Sequence, residues 1–392
     1  MRVFIIAGEV SGDKLGQAVM SGLRQLVPAV TFDGVGGPLM QGQGLVSRFD
    51  MTELSLMGLA EIVPKYFHLK ARIAEMAQAV IDTRPDVLLT IDSPDFCLRV
   101  AKRVKARSNI RTIHYVAPTV WAWRPGRAVK MAKFIDHVLA LFPFEPPFMQ
   151  AAGMGCDFVG HPVVTDSVAT QAEALAFRQV SGIGDAPLIL ALPGSRKGEV
   201  SRLADRFGAA LRLVLDAKPL ARIVVPCAGP VEGLVRDMTA SWPGAPILIA
   251  PKAVAEKRAA FKAADLALAA SGTVSLELAA HGTPMVIAYD MAWLSRVIIS
   301  RMLLVDTVTL VNLVSETRVI PEFIGTKCQP RPIAKAMLDV LANPLAQQAA
   351  MALTMQRLGQ GAEPPGLRAA RVVVSQMRSG LVGRAGASGG DI

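Results

Sequence analysis

Short runs rich in valine, isoleucine and leucine recur along almost the whole chain, with longer stretches of helical spacing between them. This alternation constrains the fold more than any other feature of the sequence. In the first half the strand candidates are VFIIA (3–7), VTFDGV (30–35), VLLTI (87–91), TIHYV (112–116), HVLAL (137–141) and CDFVG (156–160). Helix-like segments at 13–26, 69–83 and 95–107 lie between them. The second half repeats the pattern with LILAL (188–192), RIVVP (222–226), PILIA (246–250), DLALA (265–269) and PMVIA (284–288). Runs that are apolar on both faces suit a parallel sheet covered by helices on each side. Two consecutive sets predict an α/β chain of two doubly wound, Rossmann-like domains facing across a cleft, where the carboxyl ends of the strands bind ligands.

The length of 392 residues suits two domains. The reading divides the chain into a first domain at 1–165, a second domain at 166–350, a helical segment at 351–379 and a frayed tail at 380–392. The helical segment stays on its own domain, crosses back to the first, or exchanges with another chain; the sequence leaves these open, and with them a homodimer. An excess of 42 basic over 32 acidic residues suits a phosphate-bearing partner or an anionic membrane surface. No basic run interleaved with aromatics stands out, so nucleic acid is not an expected partner. Cys97, Cys156, Cys227 and Cys328 lie far apart without C-x-x-C spacing and read as buried apolar residues in a reducing compartment. No histidine pair has metal spacing and D-x-D is absent, so neither a metal nor another cofactor is expected. The opening MRVFIIAGEV is better used as a first strand than as a signal peptide, and no uncharged run reaches the ~18 residues of a spanning helix.

Several stretches could carry chemistry. After the first strand, AGEVSGDKLG supplies glycines for a tight turn before a helix, with Ser11 or Asp13 as its cap and Glu9 left without a structural task. In LLTIDSPDFCLRV, Ser93 suits an N-cap, Pro94 the first helical position and Asp95 the helix dipole. None of these devices needs Asp92, which stands where a buried strand ends. It reads as a general base, or equally as a carboxylate tied to a neighbouring loop.

In the second half, LPGSRKGEV (192–200) follows a strand and opens a helix; Ser195 and Arg196 there suit phosphate oxygens. ASGTVSLELAAHGTPMV (270–286) sets Ser271, Gly272 and Thr273 at a helix start, where backbone N–H groups attract an anion. Glu277, one turn further on the same face, could accept hydrogen bonds from ribose hydroxyls. Either loop alone is an ordinary capped helix; together they favour a nucleotide. Trp121, Trp123 and Arg124 in IHYVAPTVWAWRPGR suit a sugar phosphate, though two tryptophans also fill a core edge. His114 and His161 read as hydrogen-bonded structural residues. The segment 54–73 is unusually apolar for a place so near the cleft strands. It forms either a helix pair broken at Pro64 or an interfacial patch of Leu56, Ile62 and Phe67 with Lys65, Lys70 and Arg72.

These motifs, with GVGGPLM, PFE, GHP and NLV…PEF, occur in the order of the lipid-A-disaccharide synthases, inverting glycosyltransferases of the GT-B type (family 19), which the chain closely resembles over nearly its whole length. The resemblance implies that UDP-2,3-diacylglucosamine is joined to 2,3-diacylglucosamine 1-phosphate, releasing UDP and forming the β-1,6-linked lipid A disaccharide. It implies Asp92 as the base, Glu9 and Asp13 as acceptor-side acids, and Arg196, Glu277 and Asn312 as donor-binding positions. It also implies a peripheral protein on the cytoplasmic face of the inner membrane. Cys97, Ala117 and Val311 depart from the family's usual Asn, Ser and Pro. Another GT-B enzyme, such as a UDP-N-acetylglucosamine 2-epimerase, and a catalytically silent lipid-binding module are the alternative readings.

Overall fold

The structure, a computed structural model, describes residues 1–54, 59–291 and 304–385, with side chains at 1–54, 66–291 and 304–377. The chain forms two compact units, Met1–Pro162 with Gly361–Ile392, and Val163–Gln360.

The first unit is built on a six-stranded sheet of β1 (Arg2–Ala7), β2 (Thr31–Val35), β3 (Val87–Ile91), β4 (Arg111–Tyr115), β5 (His137–Ala140) and β6 (Gly155–Phe158). The strands are all parallel, in the order β2-β1-β3-β4-β5-β6. Every residue of β3 is buried, because helices cover both faces and leave no solvated side to alternate with. The chain leaves β1 toward β2 on one side and returns to build β3 to β6 on the other, so the order reverses between β1 and β3. Ligands of such sheets bind beside the carboxyl ends of the strands at this reversal. Ala7 pairs with Ile91, so both turns emerge at one level.

The second unit repeats the device with β7 (Leu188–Leu192), β8 (Arg222–Pro226), β9 (Ile247–Ile249), β10 (Leu266–Ala269), β11 (Met285–Tyr289) and β12 (Glu322–Ile324). The strands are parallel in the order β12-β11-β10-β7-β8-β9, with the reversal between β7 and β10. Leu192 pairs with Ala269, which again sets two turns side by side. β12 has no counterpart among the sequence expectations. It is a half-buried edge strand of three residues and begins with Glu322, too short and too polar to show a pattern.

Two helical expectations are corrected. The helix Leu59–Thr83 is continuous, with no break at Pro64; a proline near a helix start forfeits few hydrogen bonds. At the other end, the helix Pro365–Ala385 runs into the stretch expected to fray, and residues 386–392 lie outside the described ones. That helix packs along Val10–Leu26 in the first unit, whereas Leu345–Arg357 belongs to the second. Among the described residues, no helix is long and apolar enough to cross a membrane.

Candidate active site

The turns after β1 and β3 meet at the reversal of the first sheet. Asp92 and Ser93 both take left-handed backbone angles, φ 50° and 42°, which are costly for residues with a Cβ. Ser93 therefore does not cap the helix Pro94–Lys105, as its sequence position suggested. It accepts no cap hydrogen bond, and its buried Oγ has no partner. Gly8 is required here: a Cβ on it would come within 2.5 Å of that Oγ. Asp92 donates its backbone N–H to Tyr115 O at 3.0 Å, and its half-buried carboxylate accepts from Ser11 Oγ at 3.3 Å. Among the described residues, no cation pairs with Asp92.

Glu9 occupies the N-cap position of Val10–Leu26 but its side chain makes no cap, and it lines a groove of about 670 Å³ beside this turn. Asp13 does something else. It is 3% exposed, and its carboxylate accepts from the backbone N–H of Gly37, Leu39 and Met40 at 2.9–3.0 Å. Neither Asp13 nor Ser11 caps its own helix; Asp13 fixes the turn into the short helix Pro38–Gln41.

Around the ends of β4 and β5 lies an aromatic cluster. Trp121 meets Phe144 edge-on at 5.1 Å, and Phe144 stacks on Phe142. Beneath them, Glu145 accepts from the backbone N–H of Leu141 and Phe142, both at 3.0 Å; burial pushes its carboxyl up to about 7. Trp121 is buried as a core residue, so it is no open sugar contact, and its Nε1 near that carboxyl has no hydrogen-bond partner of good geometry. Trp123 and Arg124 are more exposed; the Arg124 guanidinium lies 4.3 Å over the Trp123 ring, whose Nε1 donates to Thr119 Oγ1 at 3.0 Å. His114, hydrogen-bonded through Nδ1 to Thr90 Oγ1 at 2.8 Å, is pushed down to about 3 by burial.

In the second unit the turns after β7 and β10 form the other reversal. Gly194 has φ 115°, and a Cβ there would strike Glu199. The Glu199 carboxylate accepts from the N–H of Ser195 at 3.0 Å and Arg196 at 3.3 Å, and pairs with the Arg196 guanidinium at 3.1 Å. That guanidinium is 65% exposed, so Glu199 aims it without sequestering it. Beside this turn Gly272 and Thr273 are exposed at the start of Val274–His281, and Ser271 is partly exposed. Glu277 pairs with Lys257 at 2.8 Å, both about half-exposed.

Asn312 lies deep in the second unit. It is 1% exposed, its Oδ1 accepts from Ile320 N at 3.0 Å, and its Nδ2 donates to Ile320 O at 3.0 Å. The residue ties the helix Leu310–Ser315 to the approach of β12. Arg72 is spent on Glu53 and Glu75, with its guanidinium over Phe49. Phe67 is 79% exposed and Lys70 exposed. Leu56, Ile62 and Lys65 lie outside the described side chains.

The architecture, twin parallel sheets with polar turns at both reversals, is one that many activities share. Sequence comparison decides among them: residues 3–370 match the lipid-A-disaccharide synthetase family. The chain belongs to that family. A lipid-A-disaccharide synthase of Ruegeria pomeroyi is 65% identical over 383 residues, 96% of each chain. One of Rhodospirillum centenum is 45% identical over 379 residues, 95% of this chain and 94% of its own. Among solved structures, the UDP-GlcNAc 2-epimerase of Neisseria meningitidis bound to UDP-GlcNAc superposes with a TM-score of 0.60 at 13% identity, covering 97% of this chain and all of that one. That likeness shows the fold alone.

The sequence reading missed four participants. Lys257 and Ser11 show only as partners in space, since 20 and 81 positions separate them from Glu277 and Asp92, whereas Glu199, three positions beyond Arg196, had a local helix-start spacing that could have found it. Glu145 stood in the PFE motif without a role. The signal that could have found it is an acid flanked by aromatic and proline residues, where a carboxylate would be dry.

Proposed function

We propose that the chain transfers the 2,3-diacylglucosaminyl group of its UDP conjugate to the 6-hydroxyl of 2,3-diacylglucosamine 1-phosphate. The observation that carries this reading is the family match over residues 3–370; the geometry supplies roles. Asp92, unpaired with any cation among the described residues, takes the hydroxyl proton. The oxygen attacks the anomeric carbon as the bond to UDP breaks, and its electron pair leaves on the β-phosphate. In-line displacement turns an α-linked donor into a β-linked product. Arg196 and the N–H groups of 271–273 stabilise the departing charge, and Glu277 holds the ribose. Asp13 acts by positioning, and Asn312 holds the loop near β12. Glu9 is the second acid within reach of the acceptor.

Both substrates carry acyl chains, so the enzyme works as a peripheral protein at the cytoplasmic face of the inner membrane. The net charge of +10 and the exposed Phe67 support docking on an anionic leaflet.

The test is UDP release by the purified chain. Release that depends strictly on the acylated sugar 1-phosphate bears the proposal out. Epimerisation of UDP-GlcNAc, or no release while the acceptor still binds, overturns it.

A further inference from the structure

Two helix stripes face each other in the first unit. On Leu59–Thr83, residues 66, 69, 70 and 73 fall on one face, and on Pro94–Lys105 residues 95, 99, 102 and 103 do the same. Between them runs the groove of about 670 Å³ that Glu9 and Ser93 close at one end, a size typical of small-ligand sites, about 300–1,000 Å³. Its floor is apolar: Phe96 and Ile73 are buried and Leu69 half-buried. Its far part is basic. Arg99, Lys102, Arg103 and Lys70 are exposed along it, and among the described residues none of their side chains makes an ion pair or hydrogen bond. The two acids that line it, Glu9 and Asp95, sit at the strand end. Such a groove is polar for hydroxyls at its mouth, cationic further along and oily below.

We propose that this groove holds the acceptor, with its 1-phosphate on Arg99 and Lys102 and an acyl chain along Leu69, Ile73 and Phe96. The inference rests on the function proposed above and adds to it the seat of one substrate. Arg99 lies about 7.5 Å along the helix from Pro94 at 1.5 Å per residue. That span lets a single sugar ring place its 1-phosphate on the guanidinium while its 6-hydroxyl approaches the turn bearing Asp92. Side chains on a helix lean toward its N-terminus, so Lys102 and Arg103 reach back toward the same phosphate. Charge complementarity selects an anionic lipid over a neutral one.

The experiment compares the full chain with the double variant Arg99→Ala/Lys102→Ala in detergent micelles, using the acylated sugar with and without its 1-phosphate. We expect KM for the phosphorylated acceptor to rise about tenfold to a hundredfold, the range for losing charge-assisted hydrogen bonds. The KM for the UDP-sugar should stay within about twofold, and the unphosphorylated acceptor should feel no further loss. Arg99→Lys/Lys102→Arg should restore most of the affinity. An equal loss with both acceptors, or none with either, overturns the proposal. So does a variant that keeps its micellar acceptor KM but no longer binds phosphatidylglycerol vesicles, because those cations would then serve the membrane. Direct binding of the acylated sugar 1-phosphate without donor separates this inference from the reaction. Binding that depends on Arg99 and Lys102 in a chain that releases no UDP would sustain the groove and sink the activity.

Discussion

The hydroxyl of Ser11 donates to Asp92 Oδ2 at 3.3 Å, linking the turn after β1 to the turn after β3. The bond is long and neutral, so it orients the carboxylate without taking its negative charge. Asp92→Asn keeps the shape and removes the proton acceptor. Its kcat should fall by about 10²–10⁴, the usual worth of a general base, with UDP affinity and melting temperature unchanged. Ser11→Ala should cost only a few-fold. Near-normal turnover in Asp92→Asn, measured by UDP release, would transfer the role to Glu9.

A second expectation concerns the strain beside that acid. A Cβ at Gly8 would lie 2.5 Å from Ser93 Oγ, and Ser93 itself sits at φ 42°. Gly8→Ala should cost about 1–3 kcal/mol in chemical denaturation, as overpacking does. Ser93→Gly removes both the buried, unpartnered hydroxyl and the strained Cβ, and should stabilise by about 1 kcal/mol. In the double variant the clash has no second party, so the two effects should fall short of additivity. Strict additivity would show that the turn moves aside at no cost.

Two buried groups set opposing pH dependences. Glu145 binds its proton more tightly folded than unfolded, so its contribution is full at low pH and is lost as pH rises toward about 7. The loss reaches at most about 3 kcal/mol, from 1.36 kcal/mol per pH unit. His114, held neutral down to about 3, contributes stability above its ordinary value near 6.5 that is lost as pH falls. Between about 4.5 and 6.5 the two offset one another. Glu145→Gln keeps an acceptor for the Leu141 and Phe142 N–H groups and removes the titration. Its unfolding free energy should rise with pH across that window more steeply than the parent's, because Glu145 no longer opposes His114 and the likewise lowered His137 and His281. Identical profiles would mean that Glu145 is ionised and solvated in the folded chain.

The residues differ in how much of this the sequence could show. β3 and β7 were legible to the residue because burial on both faces leaves no polar position to blur their ends. Asp92 stood out because no cap or turn required it, and Glu277 because it lies one turn beyond Thr273 on the same helix face. Ser93 was misread as a side-chain cap, since N-cap preference is a local statistic and here the backbone is left-handed, with the side chain against Gly8. Asp13 and Asn312 hold backbone groups that the sequence could not reveal, for a related reason. A motif records which residues a family keeps but does not say whether a side chain meets a ligand or holds a turn. Their burial and their backbone partners decide that, and both are long-range facts.

The ion pair of Lys257 with Glu277, 2.8 Å long and about half-exposed, separates structural from ligand-binding roles in the second unit. As a stabilising contact it is worth at most about 1 kcal/mol, because solvent screens it. Lys257→Met should therefore barely shift the melting temperature. The functional stake is different. A carboxylate that receives two ribose hydroxyls gains charge-assisted hydrogen bonds of about 1.5–3 kcal/mol, and Glu277→Gln forfeits much of that. UDP affinity, measured by calorimetry, should fall about tenfold or more in Glu277→Gln. Affinity for 2′,3′-dideoxy-UDP should hardly differ between parent and variant, because the missing hydroxyls have nothing to lose. If the variant weakens both ligands equally, Glu277 acts by holding Lys257 near the phosphates, and the ribose lies elsewhere.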